Sequence, residues 1–161
     1  MSVLVVRHGL SEANNRDNIG TLAFASDEAP LMEQGRQQAR LLGETLTFNY
    51  GVEIGDTEVA TSTLYRTQET AREAGFKALK TYAVLDEVLH GIELPQLREM
   101  LDKKQLPPAA IEAAENIIEN PPSEPIWFTH GLVIAGLCQV MGVAEDQRFI
   151  PRFCEVRQLP I

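Results

Sequence analysis

Two short apolar runs in this chain end in the same way. Val3 to Val6 leads into Arg7-His8-Gly9, and Ile126 to Thr129 leads into His130-Gly131. Each run is nearly continuous in aliphatic or aromatic residues, the pattern of a strand buried on both faces. Buried strands of this kind belong to parallel sheets, and in an open parallel sheet the C-terminal strand ends line the ligand crevice. The two endings therefore predict that His8 and His130 stand at one edge of one sheet. The glycine after each is expected to let the chain turn and a ligand approach the backbone.

The rest of the chain alternates β-type and helical patterns, which argues for an α/β layer fold with a largely parallel sheet. A helix is expected from about Met32 to Phe48, with Gly35, Ala39, Leu42 and Leu46 on its buried stripe. Glu58 to Ser62 reads as a strand. Ser62 then stands where the N-cap of a second helix belongs, with Leu64, Thr67, Ala71 and Ala74 on the buried side. Thr81 to Leu85 reads as a further strand. Leu94 to Lys103 and Ala109 to Asn120 read as two helices split by Pro107-Pro108, and Pro121-Pro122 closes the second. Leu132 to Met141 continues as an apolar helix up to Gly142, and Phe153 to Leu159 forms a last strand at an edge.

With 161 residues, 44% apolar and 23% charged, the chain fits one compact domain over residues 1–161. No apolar run reaches the length of a membrane span, and the N-terminus lacks the basic region of a signal peptide, so a cytoplasmic protein is expected. The formal net charge of -9 repels nucleic acid and anionic membrane surfaces, so neither is an expected partner. Cys138 and Cys154 form neither a C-x-x-C pair nor a zinc spacing and read as reduced, buried thiols.

Beside the two strand-end histidines lie two arginines that suit an anion. Arg7 directly precedes His8 and offers a guanidinium fork for phosphate or carboxylate. Arg66 falls in the first turn of the second helix, where a cation opposes the helix dipole unless an anion sits nearby. A bound phosphate there would remove the conflict and use free backbone N–H groups. Phosphoryl transfer calls for such a set. Guanidiniums and a second imidazole balance the charge on the equatorial oxygens, and a neutral imidazole attacks phosphorus. Protein cations can carry that charge without a metal or cofactor.

At these residues the chain resembles the histidine phosphatase superfamily, the phosphoglycerate mutase-like proteins. Arg7 to Asn14 is similar to R-H-G-x-T/S-x-x-N. Pro30 to Ala39 resembles the helix start P-L-T-x-x-G-x-x-Q-A, and Ser62 to Ala71 resembles S-x-L-x-R-A/C-x-x-T-A. Leu85-Asp86-Glu87 with Gly91 is similar to the acid segment, and Thr129 to Ile134 to S-H-G-x-x-I. The blocks follow the family order over nearly the whole chain.

The resemblance implies a three-layer α/β/α sandwich with a mostly parallel central sheet. It implies His8 as the phosphorylated nucleophile and Arg7 and Arg66 as holders of the phosphoryl oxygens. His130 would be the second pocket histidine, binding phosphate and stabilising the transition state, and Asn14 would add a phosphate hydrogen bond. Glu87 would be the general acid, with Glu93 as the second choice. Met32 stands where the family has a capping threonine, at a cost of about 1 kcal/mol. Thr67 replaces a small apolar residue after the pocket arginine, and its hydroxyl either crowds the site or finds a partner. His90 reads as an exposed loop histidine, with the pocket mouth as its other reading.

Glu93 to Pro122 occupies the place of the family's variable lid and is short, which predicts an open pocket that admits water. The expected function is a metal-independent phosphatase acting on phosphomonoesters through a phosphohistidine at His8. Phosphohistidine or phosphoprotein hydrolysis, mutase-type phosphoryl transfer and phosphate binding without turnover stay open beside it. The expected partner is thus a small phosphorylated substrate or a phosphoprotein, and the oligomeric state is open.

Overall fold

A computed structural model describes residues 2–19, 21–22, 25–143 and 149–161. Within them, β1 (Val3–Arg7), β2 (Glu58–Thr61), β3 (Ala78–Thr81), β4 (Ile126–Thr129) and β5 (Val156–Leu159) form one sheet in the order β3-β2-β4-β1-β5. The pairs β2–β3, β2–β4 and β1–β4 are parallel, and only β5 runs antiparallel, on the edge beside β1. The sheet is therefore mostly parallel, as the apolar strands require.

Side-chain alternation along the central strands sets the layers. Val5, Ala60 and Trp127 face one way and pack against α4 (Pro108–Glu119) and α5 (Gly131–Val140) through Ala110, Ala114, Ile117, Ile134 and Leu137. Val6, Val59, Ile126 and Phe128 face the other way, against α1 (Glu33–Tyr50) and α2 (Tyr65–Glu73) through Leu42, Leu46, Ala71 and Ala74. The expected stripe of α1 is buried, with Gly43 added to it. Among the described residues no helix is long and apolar enough to cross a membrane.

Among the elements, three differences from the sequence reading bear on the site. The strand expected at Thr81–Leu85 lies earlier, at Ala78–Thr81, and Ala83–Leu85 forms a 3-10 turn instead. Leu85 is apolar because this turn drives it into the core, where its carbonyl accepts a hydrogen bond from the Thr129 hydroxyl. Ser62 is not the N-cap of α2, a position taken by Leu64. The expected lid is only half a lid. α4 is a core helix on α5, while α3 (Leu94–Asp102) buries none of its residues.

Candidate active site

The register of β1 and β4 pairs Arg7 with Thr129, so His8 and His130 follow one step later at the same sheet edge. Both are buried, with ring centroids 5.2 Å apart. The sequence placed them together correctly, but the glycines behind them serve close packing rather than a turn. Neither Gly9 nor Gly131 is among the glycines with positive φ. A Cβ on Gly9 would meet the Gly35 carbonyl oxygen at 2.7 Å, and one on Gly131 would meet the Arg7 guanidinium at 3.2 Å. What approaches these glycines is the start of α1, the Arg7 side chain and the Ile150 side chain.

His8 Nδ1 lies 2.7 Å from the Gly9 carbonyl oxygen, which can only accept, so Nδ1 carries the proton. Nε2 then holds the lone pair, and it has no hydrogen-bond partner among the described residues. Burial, reinforced by Arg66 and Arg7, holds the His8 pKa well below its ordinary value of 6.5. The imidazole is neutral, and Nε2 carries a lone pair with no hydrogen-bond partner among the described residues.

His130 Nε2 meets the Ser62 hydroxyl at 2.9 Å, and its Nδ1 lies 3.5 Å from Glu87 Oε2. Burial lowers its pKa too, and His8, Arg66 and Arg7 add to the shift. Ser62 is fully buried and holds a small network. Its Oγ accepts from the Leu64 N–H and sits 2.8 Å from the Thr67 hydroxyl. Thr67 in turn donates to the Leu64 carbonyl. The departure at Thr67 is thus resolved, since its hydroxyl is satisfied within the loop. The sequence reading missed Ser62 as the histidine's partner. The signal was its place at the end of β2, on the same sheet edge as His8 and His130.

α2 supplies the cation. Arg66 lies in its first turn and is buried, and its Nη1 donates to the Ser26 carbonyl. Its Nε has no hydrogen-bond partner among the described residues. Burial lowers the Arg66 pKa, although a guanidinium is basic enough to stay charged. One turn on, Thr70 accepts from the Gly9 N–H and ties α2 to the His8 loop. Arg7 stacks on Phe153 with Cζ 4.1 Å from the ring centroid, and its Nη1 donates to the Pro151 carbonyl. The C-terminal segment thus orients Arg7.

Glu87 enters from the loop after Leu85. Its Oε2 is 3.8 Å from Arg66 Nη2, and its Oε1 accepts from the Val88 N–H. Burial raises its pKa and outweighs the pull of Arg66. Asp86 anchors this loop by accepting from the Thr63 N–H and hydroxyl. Glu93 is exposed at the N-cap of α3, so Glu87 is the carboxylate the fold brings to the histidines. Asn14 accepts from the Ser11 hydroxyl through Oδ1, which leaves its amide N–H groups as donors.

A cavity of about 730 Å³ opens over Asn14, Arg66 and Glu87. His90 lines it and is partly buried, so the mouth is its place. One atom each of His8, Glu87 and His130 lie within 4.8 Å of one another, a spacing a metal ion could bridge. The charges favour an anion instead, because both guanidiniums act on both histidines. Cys138 and Cys154 are free, and burial pushes the Cys154 thiol up to about 12. Cys154 is only partly buried, short of the full burial expected for it.

Fold and site together define a phosphoglycerate mutase-like α/β protein with paired histidines at the sheet edge. A sequence profile of the histidine phosphatase superfamily (branch 1) matches residues 3–106, and the chain belongs to that superfamily. No curated protein matches the chain. Similar solved structures include TTHB049 from Thermus thermophilus, at 23% identity over 99% of this chain and 94% of that one, with a TM-score of 0.68. A phosphoglycerate mutase from the same organism is 22% identical over 99% and 93%, with a TM-score of 0.66. Rv3214 from Mycobacterium tuberculosis is 22% identical over 98% and 89%, with a TM-score of 0.61. At such identities the likeness carries the fold and not the activity.

Proposed function

We propose that this chain hydrolyses phosphomonoesters through a phosphohistidine on His8 Nε2. The observation that carries the reading is the tautomer of His8, whose Nδ1–H is given to Gly9 while Nε2 is left free in a cationic, buried cluster. In the first step Nε2 forms a bond to phosphorus as the ester P–O bond breaks. Arg7, Arg66, His130 and Asn14 hold the phosphoryl oxygens, and Glu87 gives its proton to the leaving alcohol. Water then attacks phosphorus and passes a proton to the Glu87 carboxylate. The P–N bond breaks, its electron pair returns to Nε2, and inorganic phosphate leaves.

Two features favour hydrolysis of esters over the alternatives. A carboxyl with a raised pKa suits a poor leaving group such as an alkoxide. α3 adds no buried side chain above the cavity, which leaves water a path to the intermediate. The test is phosphate release from para-nitrophenyl phosphate at mildly acid pH, compared with His8→Ala. The variant is expected to lose essentially all turnover, and equal rates in the two proteins would overturn the reading. Acid-labile, alkali-stable labelling of the native chain by the substrate's phosphate identifies the intermediate.

A further inference from the structure

The cavity that opens from the phosphate cluster has an apolar wall. Leu64 is two residues before Arg66, Val88 follows Glu87, and Leu132 is two residues after His130, and all three line it. The wall continues with Ile19, Leu94 and Leu97. Several of these side chains are left uncovered by the fold. Ile19 is 55% exposed and Leu94 47%, and Leu89, also on the rim, is 94% exposed. α3 places Leu94 and Leu97 on one face, three residues apart, and buries neither in the core. Exposed apolar surface gathered at one mouth marks a binding site. The cavity's volume is in the range of small-molecule pockets.

Resting on the phosphomonoesterase reading, we infer that the substrate is a small soluble ester whose alcohol carries an apolar alkyl or aryl body. The occupant of the wall follows from continuity. A phosphate fixed by Arg66 and Asn14 points its ester oxygen toward Glu87, and the group beyond that oxygen enters the space between α3 and Leu132. Along the apolar side formed by Leu64, Val88, Leu94, Leu97 and Leu132 a polyol would lose water without gaining partners. An apolar chain covers Leu94 and Leu97 and is covered by them. Arg16, Asp27, Asp86, His90 and Arg98 give the same cavity a polar side, on which Asp86 is already held by the Thr63 N–H and hydroxyl.

Binding of non-hydrolysable phosphonates by calorimetry tests this without requiring turnover. From ethyl- to hexylphosphonate, Kd is expected to fall about twofold to fourfold per methylene, at least tenfold in all. A polyhydroxylated six-carbon phosphonate is expected to bind no better than the ethyl compound. Leu97→Asn should shrink the ratio of hexyl to ethyl affinity by about threefold or more, and because α3 buries nothing the fold tolerates the change. Equal Kd values along the series, no binding at all, or preference for the polyhydroxylated ligand would each overturn the inference. Phosphate release is followed separately. A steep affinity series without His8-dependent release sinks the phosphatase reading alone, and release with a flat series sinks only the apolar substrate.

Discussion

His8 keeps one nitrogen without a hydrogen-bond partner among the described residues, because the Gly9 carbonyl occupies the other. Its lowered pKa and the raised pKa of Glu87 set opposite limits on activity. Rate rises as pH increases through the depressed histidine value, where Nε2 loses its proton. It falls as pH increases through the raised carboxyl value, where the acid is lost. Activity is therefore expected to decline on the alkaline side because of Glu87. Glu87→Gln should remove that decline and cut kcat for an alkyl ester by about 10²–10⁴-fold. A phosphoramidate, with a better leaving group, should lose far less, and pH-rate profiles of the two substrates measure the difference. The same histidine makes stability depend on pH. An unfolded histidine binds a proton below about 6.5, whereas folded His8 refuses it until much lower pH. Its contribution is thus present above pH 6.5 and lost as pH falls through the depressed folded value. His8→Asn should reduce the loss of stability between pH 7 and pH 5, by up to about 1.4 kcal/mol per pH unit, read by urea unfolding.

The elements that carry the site are held at their junctions. A Cβ on Gly35 would run into the Leu10 backbone, so the first turn of α1 seats directly on the loop that bears His8. Gly35→Ala should cost about 1–3 kcal/mol and lower kcat as well, because the displaced loop is the one that aims Nε2. Met32 sits at the N-cap of the same helix with extended φ and ψ and no side-chain cap. Met32→Thr should therefore add about 1 kcal/mol without changing kcat, and paired urea titrations and rate measurements separate the two effects. Elements with a strong local pattern were legible in the sequence, namely β1, β4, the stripe of α1 and the two strand-end histidines. Less legible were features decided by distant partners. Leu85 looks like strand because it is apolar, yet its burial comes from a turn locked to Thr129. Ser62 looks like a cap, yet its hydroxyl is shared between His130 and the Leu64 N–H and Thr67 hydroxyl. In the lid region, α4 is set apart from α3 by its packing on α5, a contact that periodicity does not encode.

At the scale of the whole molecule, a cationic pocket must draw an anion through the field of a chain with net charge -9. Arg7 and Arg66 are too deeply engaged in the site to reach outward. Arg16 and Arg98 are better placed. They come from the 3-10 turn at Arg16–Asn18 and from α3, they line the mouth of the cavity, and both are exposed. Neither makes an ion pair among the described residues, whereas Arg36 and Arg40 on α1 are tied to glutamates. Cations of this kind steer an anionic substrate when salt is low and lose that effect once the screening length falls well below the size of the mouth. The double variant Arg16→Gln, Arg98→Gln is expected to lower kcat/KM about threefold to tenfold at low ionic strength. Its kcat should stay unchanged, because the cluster around His8 is untouched. At about 0.5 M salt the gap between variant and native protein should close, since the Debye length is then only a few ångströms. A deficit that persists undiminished at high salt would mean that these arginines touch the bound substrate rather than guide its approach.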